Sequence, residues 1–284
     1  MTHTSAAYSL EKAMSFLEEL FGLTGKTAII TGGAGVIGMT MTGALLKAGA
    51  NAVIWSRTQA SIDNALDDFR RSNPGPGKVK GICVDAADEQ AAGEALERSA
   101  AELGPPEILI NGVGGNLGKA AFVETDVEQF EAVLRLNLIA GLMVPSKVVA
   151  AYWVKQRIRG SIINLTSMTS YGALSGVWGY DAAKAGVLNL TGGMANEFAP
   201  YGIRVNAIAP GFFVGKQNRA LLIDEQTGEY TERGRAIIAR TPFGRFGETE
   251  ELAGATLFLA SNRASGFVTG VSIPVDGGYL VHNI

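Results

Sequence analysis

The 284-residue chain has one cysteine, Cys83, and two histidines, His3 and His282, at opposite ends. One cysteine excludes a disulfide within the chain, which fits a cytoplasmic setting. Cys83 lies in the apolar run GICV and is expected to be an ordinary core thiol. Two terminal histidines weigh against Ser-His or Cys-His hydrolase chemistry and against a histidine-bound metal, so no metal site is expected. Basic residues are not in excess: 24 Lys and Arg stand against 27 Asp and Glu, with no basic run to mark a nucleic-acid partner. No uncharged apolar stretch reaches the roughly 18 residues of a membrane span, so no membrane partner is expected. The N-terminus lacks the basic-then-apolar pattern of a signal peptide. Residues 1–21 read as a helical extension with Leu10, Met14, Leu17 and Leu20 on one side, or as an unstructured leader.

What the chain does have is alternation. Strand-like runs fall at 26–31, 51–56, 79–84, 108–111, 161–166, 204–209 and 271–275. Helical patterns fall at 37–48, 60–71, 89–103, 127–156, 180–199 and 250–261. That order predicts an α/β fold: one Rossmann-type domain over 22–284, with a doubly wound parallel sheet and helices on both faces. The NPGPG stretch at 73–77 is a turn within it. Residues 212–249 break the alternation and are expected to form a substrate lid.

The first strand runs into TGGAGVIG. Gly33, Gly35 and Gly38 fit G-x-G-x-x-G, with a strand before and a helix after. Such a turn lets backbone approach a pyrophosphate, and the helix N-terminus adds N–H donors and a positive dipole end. Further along, Tyr180 and Lys184 stand four apart in a helical stretch and so share a face, with Ser167 upstream just past the run SIINLT. A free Tyr, with a pKa of about 10, is a poor acid or base at neutral pH. An adjacent ammonium is expected to lower it.

Together these blocks resemble the short-chain dehydrogenase/reductase family over about residues 22–284. VDAAD at 84–88, ILINGVGG at 108–115, LRLNLIAG around Asn137, IRVNAIAPG at 203–211 and VTGVSIPVDGGY at 268–279 agree with the family pattern. Val36 stands where most members have a glycine. Gly112 replaces an Asn, and Gly215 stands where many members have a Thr. The combination TGGAGVIG, NGVGGN, APGFF, QNRALL and TPFGRFG is similar to one subgroup, the D-mannonate oxidoreductases (fructuronate reductases).

The resemblance implies hydride transfer between a nicotinamide and a carbonyl or carbinol carbon. Tyr180 would be the acid/base, Ser167 would bind the reacting oxygen, Lys184 would assist Tyr180 and hold the nicotinamide ribose, and Asn137 would hold a relay water. Cofactor contacts are expected from Gly32, Gly33, Gly35, Val36, Ile37, Gly38, Ser56, Arg57, Asp85, Ala86, Asn111, Gly112, Tyr180, Lys184, Pro210, Gly211 and Phe213. An acidic residue after the second strand would select NAD; here Ser56 and Arg57 hold that place, which favours NADP(H) over NAD(H).

The substrate expected is a sugar acid, met by Asn116, Trp178, Asn218 and Arg219. A 3-oxoacyl thioester reductase or another keto-reductase of the family is the alternative enzyme. A non-catalytic nucleotide-binding regulator is the alternative outside enzymes. Family members pair long helices into tetramers, which implies a homotetramer here. Ala183, Gly186, Leu190 and Met194 would form the small-residue face.

Overall fold

The computed structural model describes residues 15–72, 74–215 and 219–282. Seven parallel strands form one sheet in the order β3-β2-β1-β4-β5-β6-β7. They are β1 (Thr27–Thr31), β2 (Asn51–Ser56), β3 (Val79–Cys83), β4 (Ile108–Asn111), β5 (Ser161–Leu165), β6 (Arg204–Pro210) and β7 (Ser272–Val275). Between them run α1 (Val36–Lys47), α2 (Gln59–Ser72), α3 (Glu89–Leu103), α4 (Val127–Gln156) and α5 (Trp178–Phe198). The doubly wound fold expected from the alternation is the one observed.

Parallel strands covered on both faces read as continuous apolar runs. Every residue of β1, β4, β5 and β6 is buried. Successive side chains serve opposite layers: Ile29, Leu109 and Ile162 pack toward α3 and α4 with Leu96 and Trp153, while Ile30, Ile110 and Ile163 pack toward α1 with Met41 and Leu45. β3 is an edge strand with one fully buried residue, Ile82. Cys83 next to it is exposed, not a core thiol. The alternation that buries Ile82 and Val84 turns residue 83 outward, and its Sγ meets the Arg57 carbonyl at 3.4 Å.

α4 is long and apolar enough, by length and composition, to cross a membrane. Here it packs between α3 and α5, with Val133, Asn137, Ala140, Val149 and Trp153 buried. Its middle, Arg135–Met143, is π-helical. Asp126 caps its start by accepting from Gln129 N–H at 2.8 Å.

Of the N-terminal extension, residues 15–21 are helical, with Leu20 half-buried and Leu17 exposed; Leu10 and Met14 lie outside the described residues. The Leu20 carbonyl accepts from the Ser261 hydroxyl at 2.6 Å, tying this segment to the domain.

The described residues of 212–249 form α6 (Arg219–Leu222), a paired turn joining Ile223 to Tyr230, and α7 (Glu232–Ala239). Leu222, Ile237 and Phe246 give it a small core of its own. The last layer holds α8 (Ala253–Ala260) and α9 (Asn262–Ser265).

Candidate active site

The strand order reverses between β1 and β4, where ligands of open α/β sheets bind. Two cavities open there. One, of about 520 Å³, is lined by Gly32, Gly35, Ser56, Arg57, Asp85, Ala86 and Gly112 among others. The other, of about 440 Å³, shares Gly32, Gly35, Gly112 and Gly114 with it and continues to Ser167, Tyr180 and Lys184. The glycine turn is thus the wall between two halves of one elongated site.

The turn fits a pyrophosphate. Gly32 has φ +64°, and a Cβ there would sit 2.8 Å from the Gly112 carbonyl oxygen. A Cβ on Gly38 would lie 2.5 Å from Gly32 O, so α1 meets the turn more closely than any side chain allows. α1 has neither a side-chain N-cap nor an acidic residue in its first turn, leaving its N–H donors and dipole end to an anion. Gly33 serves packing instead: its Cβ would meet Ile54 at 2.6 Å, and it lines neither cavity.

At the far end, β5 delivers Ser167 and α5 delivers Tyr180 and Lys184. Ser167 N–H donates to Ser170 Oγ at 3.2 Å, and Ser170 Oγ donates to the Lys184 carbonyl at 2.7 Å, fixing the loop to the helix. Lys184 Nζ lies 5.6 Å from the Tyr180 ring centroid and donates to the Leu165 carbonyl at 2.7 Å. Burial lowers the Lys184 pKa to about 8. The Tyr180 pKa is raised, mainly by burial; the Ser167 hydroxyl pulls it down and the Asp181 charge pushes it further up. The expected lowering by Lys184 is therefore not what dominates. Desolvation of the phenol is the largest cause, and burial lowers the lysine's own pKa.

Asn137 is fully buried at the π-helical segment. Its Nδ2 donates to Gly115 O at 2.7 Å and Val133 O at 2.9 Å, and its Oδ1 accepts from Gly115 N–H at 3.0 Å. A Cβ on Gly114 would stand 2.7 Å from that Oδ1 and 3.2 Å from Lys184 Nζ. Asn137 thus pins the glycine strand-end against the lysine.

A family model described as enoyl-(acyl carrier protein) reductase matches residues 32–280. The oxidoreductase UxuB of Bacillus subtilis (strain 168), itself uncharacterized, is 38% identical over 275 residues, 92% of this chain and 97% of that protein. A solved structure from Haemophilus influenza with NAD bound, proposed to be a D-mannonate oxidoreductase, matches with TM-score 0.85 and 34% identity over 94% of this chain and 99% of that one. A gluconate 5-dehydrogenase from Burkholderia cenocepacia, solved with NADP and tartrate, matches with TM-score 0.82 and 33% identity over 94% of this chain and 100% of that one. The chain belongs to the short-chain dehydrogenase/reductase family.

Most of the residues that the family pattern singled out do meet at the two cavities, including Val36, Ile37, Asn116, Pro210, Gly211 and Phe213. Three do not. Asn111 is buried beneath the site, where its Nδ2 donates to Ser146 Oγ at 2.8 Å and Asn164 Oδ1 at 2.9 Å; it joins a core polar chain and faces neither cavity. Trp178 stacks edge-on against Phe122 at 5.4 Å and donates to the Ala120 carbonyl at 3.1 Å, so it braces the 118–124 segment. Arg219 opens α6 but lines neither cavity. Asn218 lies outside the described residues. The sequence reading missed Arg233 and Thr249, which line the catalytic cavity from the lid side. It also missed Ser61 and Arg135, which line the other cavity. No local motif marks them; they arrive by tertiary packing.

Asp181, next to the proposed acid/base, was missed as well. Both of its carboxylate oxygens are buried without a hydrogen-bond partner, as is the Thr169 hydroxyl. Thr169 and the Leu174 backbone offset the burial only in part, and the Asp181 pKa is raised. A carboxyl raised in the folded state contributes stability below its unfolded value of 3.8 and loses it as pH rises through the folded value. Asp181→Asn is therefore expected to melt higher than wild type at pH 8, with the gap closing toward pH 4. Because the Asp181 charge raises the Tyr180 pKa, the Tyr180 limb of the pH–rate profile should move to lower pH in this variant. A lower melting temperature at pH 8 together with an unmoved limb would contradict both points.

Proposed function

We propose that the protein is an NAD(P)-dependent oxidoreductase that acts on the carbonyl or carbinol carbon of a sugar acid. The observation that carries this reading is the convergence of Ser167, Tyr180 and Lys184 on a cavity continuous with the glycine turn. The sugar-acid class is supported by relatives that include a gluconate 5-dehydrogenase and a proposed D-mannonate oxidoreductase. Reduction of keto-sugar acids, neutral ketoses and 3-oxoacyl thioesters, followed by nicotinamide absorbance, tests it.

Gly32, Gly35 and the α1 N-terminus would hold the pyrophosphate, Ser56, Arg57, Asp85 and Ala86 the adenosine end, and Pro210, Gly211 and Phe213 the end near Tyr180. When bound, the nicotinamide supplies or accepts the hydride, and the chain's own groups position and polarise. In reduction the Tyr180 hydroxyl gives its proton to the carbonyl oxygen; in oxidation it takes that proton back. The Ser167 hydroxyl donates to the same oxygen as negative charge develops. Lys184, with a pKa of about 8, titrates within the working range and can return a proton to Tyr180. Asn137 holds the Gly114–Gly115 backbone beside Lys184; a relay water would use the lone pair its Oδ1 keeps.

NADP is the favoured cofactor in this reading. Arg57 and Arg135 line the adenosine cavity, and β2 ends at Ser56 without an acid. A guanidinium suits a 2′-phosphate. Arg57→Ala is expected to lower kcat/KM about tenfold with NADPH and by less with NADH, the loss of a charge-assisted bond. Wild-type kcat/KM equal or better with NADH would overturn the preference.

We place the enzyme in the cytoplasm as a homotetramer built on α4 and α5. Ala183 is buried against the domain, so the open face of α5 is Ala182, Ala185, Asn189, Leu190, Gly192 and Gly193, with space beyond both glycines. Such a face allows close helix approach. Residues 212–249 act as the lid.

A further inference from the structure

The lid brings one cation to the catalytic cavity. Arg233 lines it together with Ser167, Tyr180 and Lys184. The cavity wall carries no Asp or Glu: its charged members are Lys184 and Arg233 alone, both cationic. Lys184 is buried and already donates to the Leu165 carbonyl. Arg233 is exposed, and among the described residues it has no ion-pair or hydrogen-bond partner. Its neighbour Arg235 is used differently, donating to the Tyr230 carbonyl at 2.6 Å.

Arg233 is held on a built scaffold. It stands in the first turn of α7, whose N-cap Thr231 accepts from Gly234 N–H at 3.0 Å. Thr231 N–H donates to Leu222 O at 3.0 Å, and Thr231 Oγ donates to Leu221 O at 2.8 Å. A Cβ on Gly234 would lie 2.2 Å from Leu222 O, so α7 is pressed onto the end of α6. Tyr230 and Phe246 stack edge-on behind it at 5.3 Å. A cation in the first turn of a helix opposes the helix dipole, a small cost that a bound anion would reverse.

We propose that Arg233 is the substrate's carboxylate anchor: it binds the acid group of the sugar acid across the cavity from Tyr180 and sets the preference for acids over neutral sugars. This rests on the sugar-acid reading above. The cofactor's pyrophosphate is the other anion within the site. It is met by the glycine turn and the α1 N-terminus, between the two cavities, whereas Arg233 lines only the catalytic one. A planar guanidinium binds a carboxylate through two parallel bonds, which fixes the acid end and so selects the carbon presented to Tyr180.

The test measures binding and turnover on the full chain. The probes are D-gluconate and its neutral counterpart D-glucitol, titrated by calorimetry into enzyme saturated with NADP, with NADP binding measured separately. Arg233→Gln should weaken D-gluconate about 10- to 100-fold, as for loss of charged hydrogen bonds, with D-glucitol and NADP unchanged. Arg233→Lys should recover part of the loss, since it keeps the charge but not the paired geometry. KM for a keto-sugar acid should rise in Arg233→Gln far more than kcat falls. Equal weakening of D-gluconate and D-glucitol, or no weakening, overturns the proposal while the sugar-acid reading stands. Weakened NADP binding with unchanged D-gluconate affinity assigns Arg233 to the phosphates and overturns it too. A wild type that neither binds nor turns over sugar acids but reduces 3-oxoacyl thioesters sinks the sugar-acid reading and this proposal together. A circular-dichroism melt within the wild-type range keeps misfolding out of the comparison.

Discussion

Tyr180→Phe is expected to lower kcat about 10²–10⁴-fold, the range for loss of a positioned general acid. Dinucleotide affinity should stay within about twofold, because an interaction made in the transition state is lost and ground-state binding is not. The substitution removes one oxygen and keeps the ring, so the packing of Lys184 over the ring face is retained. The phenol shares that wall with the Ser167 hydroxyl, which already accepts from Thr169 N–H at 3.2 Å. Stopped-flow turnover with the reduced cofactor, paired with a fluorescence titration of the same cofactor, separates the two quantities. Activity retained within tenfold, or affinity lost along with it, would remove Tyr180 from the role.

Gly38→Ala is expected to be the most damaging single methyl in the nucleotide turn. The added Cβ would stand 2.5 Å from Gly32 O, 2.9 Å from Gly33 Cα and 3.1 Å from Gly32 C. These are backbone atoms of the turn itself, so no rotamer can relieve the contact. The turn must open, at about 1–3 kcal/mol of folding stability for overpacking of this kind. The same opening moves the N–H donors that meet the pyrophosphate, so dinucleotide Kd should rise by at least about tenfold, the weight of one or two charge-assisted bonds. Gly43 on the same helix is the control. A Cβ there meets nothing within 4 Å, and alanine in a helix interior is favoured over glycine by about 1 kcal/mol. Gly43→Ala should bind dinucleotide as wild type does and unfold at equal or higher denaturant. Should the two variants behave alike in both assays, the close approach at Gly38 is not what shapes the turn.

The fold was legible because its strands are buried on both faces. β2 and β4 sit at the expected residues, and the other strand ends differ by a residue or so, where apolar runs fade into turns. Tyr180 and Lys184 could be placed together because helix geometry alone fixes an i, i+4 pair. Less could be read where tertiary context decides. Cys83 lies in an apolar run, but nothing local says that β3 would be the edge. The π-helical turn at Arg135–Met143 leaves no mark in an apolar helix, since one extra residue in a turn alters register without altering composition. Asn111 occupies a strand end that points toward ligands in outline, yet its side chain alternates inward to Ser146 and Asn164. Arg219 and Arg233 are both lid arginines. Which one reaches the cavity depends on how α7 docks on α6, and the pattern of a polar, Gly-interrupted segment does not encode that locally.

The most direct measurement of the central claim is the ratio of kcat/KM values, with NADPH, for a keto-sugar acid such as 5-dehydro-D-gluconate or D-fructuronate, a neutral ketose of similar size, and a 3-oxoacyl thioester. The account predicts that a sugar acid leads both others by at least about tenfold, the discrimination that one buried charge-assisted contact provides. Reduction of the thioester or the neutral ketose with the acids ignored would contradict it.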